Sequence, residues 1–296
     1  MRASPQLKRI SKARSRTRGV FSALVRKKTA LVGFVIVLGF LLLTAIVSIF
    51  GLLGLMVTPY DPIKQDVGPK LAPPSSSHIF GTDVLGRDVF SRILAATPND
   101  VNISLAVIAF ASAVGAIVGS YAAFRGGFID EALMRTTDVF FGLPVLVLAM
   151  AISIALGRGL VNMMIALMIT WWPPYARMAR GEALRVSHMN YIEAARLSGS
   201  GRLKILLKHV LPNILTTMLV YATLDIGTVI LVYSGLSYLG LSIRPPEPDW
   251  GEMVSSYQGY LLSAPWLPLI PGFVIALGAI GFGLLGDGLR EWLGVS

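Results

Sequence analysis

Thr29–Tyr60 reads TALVGFVIVLGFLLLTAIVSIFGLLGLMVTPY, a run with no Asp, Glu, Lys or Arg. It is longer than the ~20 residues that an α-helix needs to cross a bilayer. Val101–Phe124 is a second run free of charge. Further apolar stretches at about 136–157, 159–176, 210–235 and 265–286 bring the number of expected spans to six. A composition that is 54% hydrophobic and only 14% charged over 296 residues does not describe an ordinary soluble domain. The expected fold class is an all-α, multi-pass membrane protein with six transmembrane helices.

The net charge of +10 is concentrated at the start of the chain. Met1–Lys28 holds ten Lys/Arg and no acid, leaving 16 basic and 16 acidic side chains elsewhere. A basic tail directly before a span reads as a cytoplasmic anchor under the positive-inside rule, so nucleic acid is not needed to explain it. The first apolar run far exceeds a signal-peptide core and is expected to stay in place. With the N-terminus inside, residues 54–100, 157–162 and 242–264 fall outside and both termini are cytoplasmic. Lys and Arg agree: 177–209 holds seven, the outer segments four, one and one. The expected organisation is a basic tail at 1–28, a first transmembrane helix at 29–56 and an outer loop with a short amphipathic helix at 57–100. A five-helix core at 101–290 follows, with a cytoplasmic loop at 177–209, then a tail at 291–296. Thr82 and Asp83 are candidate caps for the amphipathic helix.

Tyr191–Asn213, YIEAARLSGSGRLKILLKHVLPN, is a basic island between two apolar stretches. Asn190 can cap a short helix, with Glu193 reaching back as in a capping box. Ala194 and Ala195 offer a surface of methyl groups. Gly199 and Gly201 suit the left-handed and turn conformations that end one helix before another starts near Arg202. The result is a helix-turn-helix knob in water, rimmed by Arg196, Arg202, Lys204 and Lys208. On physical grounds alone, it is equally a capped surface loop with ordinary positive-inside charge.

This stretch resembles the EAA loop of ATP-binding-cassette (ABC) importer permeases: Glu193, Ala194, Ala195, Gly199, Leu211 and Pro212 fall on that pattern, with Arg196 beside them. His209-Val210-Leu211-Pro212-Asn213 is similar to the dipeptide/oligopeptide/nickel branch. So are Pro59-Tyr60-Asp61-Pro62, GTDVLGRD at Gly81–Asp88, Trp172–Arg177, Leu236–Leu241 followed by Pro245–Gly251, and Leu285–Arg290. The match covers about Thr29–Arg290. It departs at Ala95–Asn102, where the branch usually has Gly-x-Arg. The resemblance implies the type I importer permease (MetI-like) fold, in the C-type subunit of a binding-protein-dependent transporter in a prokaryotic inner or plasma membrane. It also implies a second homologous permease, two ABC ATPase subunits and an extracytoplasmic solute-binding protein, with the knob as the coupling helix. Members of the branch carry peptides, oligosaccharides or nickel chelates. Peptides are the leading expectation, although no residue decides among them.

The chain is expected to be non-catalytic and to hold no cofactor. No Lys follows a Gly, so a phosphate-cradling loop is absent and ATP and Mg belong on the ATPase partners. No HExxH motif is present, the three histidines lie in loops or at a membrane border, and there are no cysteines. Among acids near the membrane, Asp138 is expected to pair with Arg135 along one helix. Asp225 either faces the translocation pathway or is hydrogen-bonded to Thr and Tyr side chains within the bundle. Pro144, Pro173, Pro174 and Pro212 permit kinks, and Gly227, Gly235, Gly240, Gly278 and Gly281 permit close helix contact. A secondary transporter would show inverted repeats, and none is clear. A membrane scaffold would need no coupling loop.

Overall fold

The computed structural model describes residues 27–294; most of the expected basic tail, and positions 295 and 296, lie outside them. The described residues form helices α1 (Lys28–Leu52), α2 (Val89–Arg125), α3 (Gly127–Phe141), α4 (Val145–Leu156) and α5 (Leu160–Ser187). They continue with α6 (Asn190–Leu197), α7 (Arg202–Ile205), α8 (Leu211–Tyr238), α9 (Trp250–Tyr257) and α10 (Trp266–Leu293). A π-helical turn at Leu206–Val210 joins α7 to α8.

Among the described residues, four helices are long and apolar enough to cross a membrane: α1, α2, the continuous segment Leu203–Tyr238, and α10. The span expected at 136–157 is two helices, α3 and α4, meeting at 90°. Pro144 lacks an N–H and forces Leu143 out of helical geometry, which accounts for the break after Gly142. The span expected at 159–176 lies within α5, where Trp171, Trp172, Pro173, Pro174 and Tyr175 dilute the apolar run. By length and hydropathy the structure therefore supports four spans, or five if the bent pair is one.

The expected short amphipathic helix and the second span are one helix. The α2 helix runs unbroken through Pro98. Its N-cap is Asp88, whose side chain accepts from Ser91 N–H at 2.7 Å, so neither Thr82 nor Asp83 starts it. Those two residues instead build the loop between α1 and α2. Asp83 accepts from Leu85 N–H (2.9 Å), Arg87 N–H (3.0 Å), Arg87 Nε (2.7 Å) and Tyr257 OH (3.0 Å). Burial, the largest influence, pushes the Tyr257 phenol above its ordinary value, so it remains a donor to Asp83. His78 Nδ1 lies 2.9 Å from Asp88 Oδ1. Arg92, fully buried, donates to Pro62 O (2.9 Å) and Pro246 O (3.1 Å), tying the α1–α2 loop to the segment between α8 and α9. The acids and arginine of the GTDVLGRD string thus hold a cap of loops together at one end of the bundle.

That cap closes on Asp249, which is buried and N-caps α9 by accepting from Gly251 N–H (2.9 Å) and Glu252 N–H (3.2 Å). Tyr233 OH (2.6 Å), Ser242 Oγ (3.2 Å) and Ser237 Oγ add further hydrogen bonds. A carboxylate accepting this many donors is stable out of water, where an unpaired one would not be.

Below the cap, α5 packs along α2, and α10 packs between α8 and α1. The α2–α5 contact is made by Gly115 and Gly119, a small-xxx-small pair. A Cβ on Gly119 would lie 2.1 Å from Ala176 O, and one on Gly115 2.3 Å from Tyr175 Cβ. Of the five glycines expected at helix contacts, Gly227 and Gly281 meet neighbours this closely, Gly235 and Gly278 make only ordinary contacts, and Gly240 instead ends α8 with φ 78°. Many large side chains of α1, including Val35, Leu42 and Ile49, remain exposed, as a helix facing hydrocarbon requires. Lys27 at the start of α1 pairs with Glu291 near the end of α10, so these two ends lie on one face.

Gly119→Val should separate α2 from α5, because backbone atoms cannot give way; overpacking of this kind costs about 1–3 kcal/mol or more. The expected result is a lower melting temperature and lower yield of purified protein. Gly283→Ala, which points into open space, should change neither. Equal stability of Gly119→Val and the unaltered chain would show that the helices do not meet in this register.

Candidate functional site

The knob is built at the C-terminal end of α5. Ile192 is completely buried and anchors α6, while Glu193 and Ala194 are exposed. Ala195 is half-buried against the core, so Ala194 alone presents the expected methyl surface. Asn190 is the first residue of α6 rather than its cap, and the Met189 carbonyl accepts from Ile192 N–H (2.8 Å) and Glu193 N–H (3.4 Å). The helix ends in a Schellman-type closure: Ser200 N–H donates to Ala195 O at 3.1 Å across Gly199, whose φ is 74°. Gly201 does not take a left-handed conformation; its carbonyl accepts from Ile205 N–H (3.1 Å) at the start of α7. The side chains of Arg196 and Arg202 lie outside the described set. Lys204 and Lys208 are exposed.

Leu197 is 90% exposed and Leu203 67%. Large exposed apolar side chains beside a small-residue helix are the usual sign of a protein contact.

Sequence reading missed how the knob is tied to the bundle. Asn213 Nδ2 donates to Tyr191 OH (3.0 Å) and to His209 O (2.6 Å), clipping α6 to the first turn of α8. The rings of Tyr191 and His209 are 6.2 Å apart. Leu211 and Pro212 sit just past the π-turn, where Leu211 N–H donates to Leu206 O, a bond one residue longer than the α-helical one. A proline there, lacking an N–H, suits a helix whose hydrogen-bond register is already interrupted.

Two ion pairs brace α5 against α3. Arg180 grips Asp130 with Nε–Oδ1 and Nη2–Oδ2 both at 2.6 Å, the bidentate geometry in which guanidinium and carboxylate are strongest. Arg177 pairs with Asp138, so the expected Arg135–Asp138 pair does not form; Arg135 lies 3.7 Å from Glu131. Asp138 faces α5, while Arg135 and Glu131 share a solvent-exposed face one turn apart.

Asp225 lies where α8 crosses α5. Trp171 Nε1 (3.3 Å) and Tyr175 OH (3.1 Å) both donate to its Oδ2. The hydrogen bonds expected from Thr and Tyr come instead from Trp and Tyr on another helix. Asp225 is half-buried, and among the described residues no basic side chain pairs with it. No group of three or more metal-ligating side chains occurs among the described residues.

A double-mutant cycle should give a coupling energy between Tyr175→Phe and Asp225→Asn of about 0.6–2 kcal/mol in thermal unfolding, the range for hydrogen bonds between membrane helices. Strict additivity would show that this contact carries no energy.

The chain matches the family model described as the binding-protein-dependent transport system inner membrane component over residues 101–294. Residues 15–74 match the N-terminal transmembrane domain of oligopeptide transport permease C. It is 39% identical to the "Probable D,D-dipeptide transport system permease protein" of Escherichia coli (strain K12), covering 84% of this chain and 85% of that one. It is 36% identical to the dipeptide transport system permease protein of Alkalihalophilus pseudofirmus (93% and 88% covered). With the nickel transport system permease protein of Escherichia coli (strain K12) it shares 34% identity (86% and 91% covered). With its helices, its helix-turn-helix knob and these matches together, the chain belongs to the family of inner membrane components of binding-protein-dependent transport systems, the permeases of ABC importers.

Proposed function

We propose that this permease forms one half of the membrane pore of an ATP-driven importer of di- and oligopeptides. In this reading α5 is also a span and α3–α4 a broken one, giving six, with both termini cytoplasmic. Lys27–Glu291 supports the placement of the two ends on one side. A second homologous permease completes the pore, two ATPase subunits bind ATP and Mg, and a binding protein delivers solute from outside. The peptide assignment draws on the relatives named for dipeptides and on the match to the oligopeptide permease domain.

The observation that carries the reading is the knob itself. Its outward surface is Glu193, Ala194 and Leu197; its rear is the buried Ile192. ATP-driven closure of the ATPases moves α6, and the Asn213–Tyr191 clip passes that movement to α8 while the α5 braces carry it to α3. Glu193, Ala194, Ala195, Arg196, Gly199, Leu211 and Pro212 are the coupling residues, and Asp225 is assigned to the pathway wall. The nickel permease relative keeps a chelate-importing version of the same machinery open to test by competition.

Ala194→Trp should abolish ATP-dependent uptake, and Glu193→Lys should weaken it, with membrane insertion intact because the knob is in water. Normal uptake with Trp at 194 would remove the knob as docking site. Since the chain has no cysteine, single introduced cysteines report topology cleanly. Positions 18 and 196 should resist an impermeant thiol reagent applied to intact cells, and positions 76 and 252 are on the outer side. External labelling at 196 would invert the orientation.

A further inference from the structure

A pocket of about 680 Å³ opens at the end of the bundle opposite the knob, lined by Arg158 and Arg244 together with Tyr238, Glu252, Ser255 and Ser256. Its size lies within the ~300–1,000 Å³ of small-molecule sites. The two arginines are exposed, and among the described residues neither has an ion-pair or hydrogen-bond partner.

Both are held on a shared strap. Gly159 N–H donates to Leu241 O at 3.2 Å, joining the α4–α5 turn to the segment after α8. Asn162 Nδ2 closes that turn on Leu156 O (2.8 Å) and Gly157 O (3.0 Å), with Gly157 at φ 91° and Gly159 at φ 152°. On the other side, Leu241 and Ser242 are buried, and Ser242 is fixed by Tyr233 and Asp249. Arg158 and Arg244 therefore project from two anchored backbones.

The acid in the pocket does not neutralise them. Glu252 lies 3.7 Å from the buried Arg92 and accepts from Ser256 Oγ, so its charge is already answered from behind. Glu247, three residues beyond Arg244, does not line the pocket. What remains is a rim of two guanidinium groups above hydroxyl groups. Guanidinium groups bind carboxylate through paired N–H donors.

We infer that this pocket is an outer subsite for the carboxylate of a small solute, engaged by Arg158 and Arg244, with the oxygens of Ser256 and Tyr238, whose own protons go to Glu252 and Gln258, accepting hydrogen bonds from the rest of the molecule. The inference rests on the importer reading, which places this end of the bundle outside. It narrows the cargo to carboxylate-bearing solutes, as peptides are, and away from neutral oligosaccharides.

The test uses the complete transporter in vesicles, with partner subunits free of cysteine and Ser255→Cys introduced in this chain. Labelling of that cysteine by an impermeant maleimide should be slowed several-fold by dialanine and not by dialanine C-terminal amide. Arg158→Gln combined with Arg244→Gln should remove the protection, read as the ratio of labelling rates with and without dialanine in the same variant, because the arginines themselves also promote the thiolate. Equal protection by acid and amide, protection by neither, or protection that survives the double substitution would overturn the inference. Protection by the unliganded binding protein but not by dialanine would assign the arginines to protein docking, and overturns it too. ATP-dependent uptake of dialanine in the same vesicles tests the importer reading separately. Uptake without protection removes the pocket alone; protection without uptake removes the peptide-import reading and leaves the pocket standing.

Discussion

The close approach of α2 and α5 at Gly115 and Gly119 governs most of the arrangement. Lipid tails are as apolar as leucine, so membrane helices gain little from hiding apolar surface and depend on backbone proximity and interhelical hydrogen bonds. With Gly119 seated on the Ala176 carbonyl, α5 has one register. That register puts Tyr175 and Trp171 on Asp225, and Arg177 and Arg180 on the acids of α3. A slide of one residue along α2 would rotate these side chains by about 100° and lose all four contacts at once.

Polar groups divide the molecule by depth. At the end of the bundle away from the knob, Asp83, Asp88, Arg92 and Asp249 are buried, each held by hydrogen bonds to other residues, and fasten loops far apart in sequence. At the knob end the ion pairs are more exposed and join neighbouring helices.

Long apolar runs and the Glu193–Pro212 pattern made the all-helical class and the knob legible, because both are local. The Gly115–Gly119 spacing was legible too and was not used; a small-xxx-small pair inside a span is a packing signal that needs no partner to be noticed. The partners of Asp138 and Asp225 were not legible, since Arg177, Trp171 and Tyr175 lie some forty to fifty residues away and meet them only after the helices pack. The local rule that paired Asp138 with Arg135 lost to this longer-range contact. The bend within the span expected at 136–157 was not legible, because hydropathy is blind to direction: Gly142-Leu143-Pro144 leaves the run apolar while turning it through a right angle.

The length of α2 has a mechanical consequence. At 37 residues it is a rod of about 55 Å, well beyond the ~30 Å of a hydrocarbon core. One end is fixed in the loop cap through Asp88 and Arg92, and the other stands beside the braced ends of α3 and α5. A tilt of only ~10° about its middle would carry each tip about 5 Å in opposite senses. The two faces of the membrane are therefore geared together through a single piece of backbone, and neither can rearrange around α2 without the other registering it.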